Sequence, residues 1–126
     1  MKDMFLCAAL LAALCSLFAL NAKTADDCRK TVCAKIDTVY DAIASGDGEM
    51  IEKAGTAAQK EWERKFKAMR YLYHHNVTDS IDEAVFKAQH YIGEKNYEKA
   101  LLKLSEAKYL IKNLDNQEKI TLDNIF

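Results

Sequence analysis

The chain has 126 residues, 18 Lys or Arg against 19 Asp or Glu, and a formal net charge of −1. That is enough for one domain and a leader. Charges of both signs alternate with no basic run of five, so there is no stripe to track phosphates and nucleic acid is excluded as a partner. The absence of proline and the presence of only four glycines suit long helices with short joints, an all-α chain.

The most apolar stretch comes first. Met4 to Leu20 carries no charge and a single hydroxyl, Ser16. Residues 1–22 therefore read as a signal peptide or a membrane anchor, with membrane contact through residues 4–20. A signal core takes about 7–15 apolar residues and a spanning helix about 17–25, so the run sits at the join. The cleavage points are poor: Leu20 stands third back from a cut after Ala22, and no clean small-x-small site follows. The expectation is an anchor, with secretion after cleavage as the alternative. Lys2 and the amino terminus favour a cytoplasmic start, whereas Lys23, Arg29, Lys30 and Lys35 pull the other way under the positive-inside rule. A leader of this shape still predicts the domain outside the cytoplasm.

Residues 23–126 read as one helical domain, a small antiparallel bundle of about four helices. The first, 25–44, places Cys28, Val32, Ile36, Val39 and Ile43 on one stripe at helical spacing. No breaker separates it from the leader. Ser45-Gly46-Asp47-Gly48 ends it, since paired glycines supply turn conformations. The second helix, 49–74, carries Ile51, Ala54, Ala58, Trp62, Phe66, Met69 and Tyr73. Its opposite face bears Glu49/Lys53, Glu61/Lys65 and Glu63/Lys67 four apart, each pair contributing roughly 0.2–0.5 kcal/mol. His74-His75-Asn76 reads as its stop, with imidazoles near the negative end of the dipole.

Ser80 and Glu83 form a capping box that opens the third helix, 80–92, which buries Ile81, Ala84, Val85, Ala88 and Ile92. Gly93-Glu94-Lys95-Asn96 is the next joint. The fourth helix, 96–114, carries Tyr97, Ala100, Leu101, Leu104, Ala107, Leu110, Ile111 and Leu114, and so short a joint makes it an antiparallel neighbour of the third. The tail, 120–126, ends on Ile125 and Phe126, which predicts docking.

Two stretches bear a resemblance to known families. Tyr71-Leu72-Tyr73-His74-His75, Ile81-Asp82, Asn96-Tyr97-Glu98-Lys99-Ala100-Leu101 and Thr121-Leu122-Asp123-Asn124-Ile125-Phe126 together resemble domain-of-unknown-function family 4363, from about Glu61 to Phe126. The resemblance implies a short bacterial extracytoplasmic protein with an N-terminal membrane helix and a helical remainder; it brings no activity. Gly93-x-x-x-Tyr97-x-x-Ala100, with Ala107 beyond, also resembles one tetratricopeptide hairpin. No second copy follows at a 34-residue period, so the small residues read better as close helix packing.

The candidates for chemistry are few. His74, His75 and His90 are the first places to look for a metal. Adjacent histidines point about 100° apart on a helix, and there is no His-Glu-x-x-His, Glu-x-x-His or Cys-x-x-Cys-His pattern. The expectation is no metal and no other cofactor. Cys28 and Cys33, about 140° apart on a helix, cannot bridge each other without unwinding it. They leave open buried thiols or, outside the cytoplasm, a disulfide, either within the chain if the helix starts after Cys33 or between two chains of a homodimer. Cys7 and Cys15 are membrane-compatible small residues. Trp62, Phe66, Met69 and Tyr73 could line a ligand groove but fall on the core stripe. No isolated carboxylate pair sits in an apolar context that would suit acid–base work, so no catalytic residue is assigned. Asn76-Val77-Thr78 matches a glycosylation sequon, incidental in a bacterial protein.

These readings converge on a membrane-anchored helical interaction module of the cell envelope, bound to another envelope protein and not an enzyme. The alternative is a secreted or periplasmic carrier of a small ligand or metal through His74 and His75.

Overall fold

The first glycine stands at position 46, and the backbone uses that licence in full. The computed structural model describes residues 1–114, and in it a single helix, α1, runs from Lys2 to Ser45. At 1.5 Å per residue it is about 66 Å long. Its two halves have different surroundings: Met1 to Lys23 are all exposed, whereas Ala25, Cys28, Val32, Cys33, Ile36, Val39 and Ala42 are buried. Gly46, at φ 78°, closes the helix in the left-handed conformation, and its N–H reaches the carbonyls of Ala42 and Ile43. A side chain there would meet its own backbone.

Asp47 then caps α2, Gly48–Leu72, its carboxylate accepting from the backbone N–H groups of Glu49 and Met50. Helices α3, His75–Gly93, and α4, Tyr97–Lys112, follow. Each helix packs on its sequence neighbour, and α4 returns to α1, closing an up-down-up-down bundle. The core holds one large aromatic, Trp62, among Ile36, Ile51, Met69, Ile81 and Ile111, with alanines where helices approach closely. Gly55 lets α2 come close to α3: a Cβ there would lie 2.6 Å from Gln89 Oε1 and 2.9 Å from Ile92 Cδ1.

Two joints differ from the sequence expectation. Helix α3 begins at His75, not Ser80. Tyr73 and His74 take extended backbone and break the chain, and His74 Nδ1 accepts from Asn76 N–H as the cap. Ser80 is interior to the helix and donates to the carbonyl of Asn76, so no capping box forms with Glu83. The histidine pair therefore opens α3 instead of closing α2, which removes the dipole argument made for it. At the second joint Gly93 remains helical, and Lys95 takes the positive φ, 60°.

Smaller differences concern ends and pairs. Helix α4 stops at Lys112, and α1 includes the leader. Glu49 pairs with Lys53 as expected, but Lys65 reaches across to Asp27 of α1 at 2.8 Å instead of to Glu61, which pairs with Arg64. The expected docking of 120–126 lies outside the described residues.

Candidate functional site

The residues singled out for chemistry are dispersed by the fold. His74 caps α3 and His75 is its first residue, whereas His90 lies in its last turn with Nε2 3.1 Å from Glu94 Oε1. Fifteen residues of helix, about 22 Å, separate His75 from His90. Among the described residues no three His, Cys, Asp or Glu side chains are grouped to hold a metal ion. The fold thus leaves His74 and His75 without His90 as a third ligand.

Cys28 and Cys33 are free thiols buried on α1. Burial pushes the Cys28 thiol up to about 12, and burial also raises Cys33. Both are weak nucleophiles there, and a disulfide to another chain requires one of them to leave its packing. Trp62, Phe66 and Met69 belong to the core: Trp62 is fully buried and stacks obliquely on Phe66, ring centres 5.6 Å apart. Its indole N–H donates to Asp82 Oδ1 at 3.0 Å, joining α2 to α3.

Exposed apolar side chains stand singly at Met50, Tyr71 and Phe86, and two surfaces carry more than one. The first is the apolar half of α1: Phe5, Leu6, Leu10, Leu11, Leu14, Leu17, Phe18 and Leu20 are all exposed. It is the one helix among the described residues long and apolar enough to cross a membrane. The second is an apolar face of α4, where Leu102 and Tyr109 stand exposed two turns apart with Ser105 between them. A shallow recess beside it is lined by Asn96, Glu98, Lys99, Leu101, Leu102 and Ser105. Residue types alone could not have found this face, because Leu101 and Leu104 of the same helix are more covered.

Ion pairs flank the buried stripe of α1 on both sides. Lys65 keeps the Asp27 carboxyl below its ordinary range by hydrogen bond and charge, and Asp27 raises Lys65 in return. On the other side Lys108 of α4 pairs with Asp37, which raises the lysine, and Tyr40 Oη meets Ser105 Oγ at 3.1 Å. A recess of about 390 Å³ opens where α1 enters the bundle, lined by Phe18, Asn21, Ala22, Ala25, Arg29, Leu72 and Tyr73.

Residues 18–125 match the model of the family described as Domain of unknown function (DUF4363), a longer stretch than the motifs from Glu61 onward covered. No curated protein and no solved structure matches the chain.

Proposed function

This chain belongs to the DUF4363 family, and from that premise we propose that it is a membrane-anchored helical module that binds another protein of the bacterial cell envelope. One observation carries the reading: α1 passes from an exposed apolar half straight into the buried seam of the bundle without a break. An exposed run of this kind is stable in a bilayer and not in water. The bundle is thereby a rigid continuation of the anchor and not a domain on a flexible tether, and in this reading it lies outside the cytoplasm. The matched region begins at residue 18, so the end of the apolar run and the bundle belong to one unit.

The contact surface in this reading is the α4 face around Leu102 and Tyr109. Its work is docking, without catalysis. Site-specific photocrosslinking from Leu102 and from Tyr109 in the full-length protein in native membranes is the test. A discrete adduct with one membrane or envelope protein from these positions, and none from Lys53 on α2, is the expected result. Adducts spread evenly over all three positions, or none at all, would remove the interaction reading.

A further inference from the structure

The ion pair between Lys65 and Asp27 marks the register of α2 on α1. From that pair both helices run seven residues towards the apolar end of α1, about 10.5 Å along the axis, which brings Leu72 level with Leu20. The recess shared by Phe18, Asn21 and Ala22 with Leu72 and Tyr73 is consistent with this register. Helix α3 starts at the same end, where Arg70 meets Asp79 at 3.8 Å. The turn between α2 and α3 therefore stands where the apolar run stops.

Its composition suits that level. Tyr71 is 86% exposed, the most exposed large hydrophobic side chain of the bundle. Lys67, Arg70, Tyr71 and His75 surround one shallow recess, and Leu72 and Tyr73 lie half-buried beside it. Three carboxylates towards this end of the bundle are engaged: Asp79 with Arg70, Asp27 with Lys65 and Asp26 with Lys30. Tyrosine next to cations is what the headgroup layer of a bilayer selects, because the ring sits at the acyl boundary while hydroxyl and cations meet phosphate and water.

We propose that the α2–α3 turn, from Lys67 to His75, is a second membrane contact, seated in the phospholipid headgroup layer of the bilayer that α1 crosses. The bundle then stands on the membrane by two points, α1 and this turn, which fixes its rotation about α1. The inference rests on the reading of α1 as an anchor, and the experiment separates the two.

Full-length protein is reconstituted in vesicles of phosphatidylcholine and phosphatidylglycerol, with the phosphatidylcholine brominated either near the headgroup end of its chains or near their tips. Tryptophan is added by Tyr71→Trp or, separately, Leu14→Trp; buried Trp62 serves as the internal reference. The Leu14→Trp emission should be quenched most by bromine near the tips. The Tyr71→Trp emission should fall by about two-fold or more with bromine near the headgroup, and less with deep bromine. Quenching of Leu14→Trp without quenching of Tyr71→Trp overturns the second contact and leaves the anchor standing. No quenching of Leu14→Trp overturns the anchor, and the second contact with it.

Discussion

Replacing Trp62 by Phe tests the packing that holds the bundle together. Trp62 is fully buried and its indole N–H donates to Asp82 at 3.0 Å. Trimming indole to phenyl removes about 40 Å³, or about 1 kcal/mol at ~24 cal/mol per Å³ of cavity. The lost hydrogen bond adds about 1 kcal/mol. A total of about 2 kcal/mol lowers Tm by roughly 8–16 °C for a domain of this size. Asp82→Ala should cost about 1 kcal/mol, because it strands a buried N–H, offset in part by the better helix propensity of alanine. In the Trp62→Phe background the same change should cost nothing, since no N–H remains to be stranded. Urea denaturation of the two single variants and the double variant, followed by circular dichroism, gives the coupling. Additive losses, or a Trp62→Phe cost below about 0.5 kcal/mol, would refute the reasoning.

Three further outcomes follow from the same geometry. Asp27→Asn should lower stability at neutral pH. The folded carboxyl lies below its ordinary value of 3.8, so the wild-type advantage is present above that pH and disappears as pH falls through the folded value; melts from pH 7 down to pH 2 that kept a constant gap would exclude the pair as its source. Lys95→Gly should stabilise by about 0.5–1 kcal/mol, because Lys95 occupies a left-handed conformation that glycine adopts freely; a loss of stability in urea would contradict this. Iodoacetamide at pH 8 should leave Cys28 unmodified in the folded protein, where about one thiol in 10⁴ is ionised. Peptide mapping that finds Cys28 modified as fast without denaturant as with it would show that its burial is wrong.

The helical periods were legible because they report burial directly: the stripes through Cys28–Val39, Ile51–Met69 and Ile81–Ile92 lie in the core, with Phe66 alone among them half-buried against it. The joint at Gly46 was legible too, since one residue type dominates the left-handed region. The α2–α3 joint was not. Ser80 and Glu83 match a capping pattern, but a cap is decided by where the backbone turns extended, and Tyr73 and His74 do so earlier without any glycine or proline to mark it. Nor could the sequence choose between two partners for Lys65, because Glu61 is four residues away in every helix while Asp27 is near only once α1 and α2 pack. The dispersal of the histidines follows from the length of α3, which an opening at Ser80 had shortened. The level of Tyr71 beside the end of the apolar run depends on interhelical register, a quantity that no single helix carries.

The claim that α1 is one uncut helix, membrane anchor and bundle wall together, is tested most directly by the intact mass of the protein extracted from native membranes. Recovery in the membrane fraction at an intact mass that retains residues 1–22 is the expected result. Recovery as a soluble species at a mass lacking residues 1–22 would contradict it, leaving an exported bundle with no anchor.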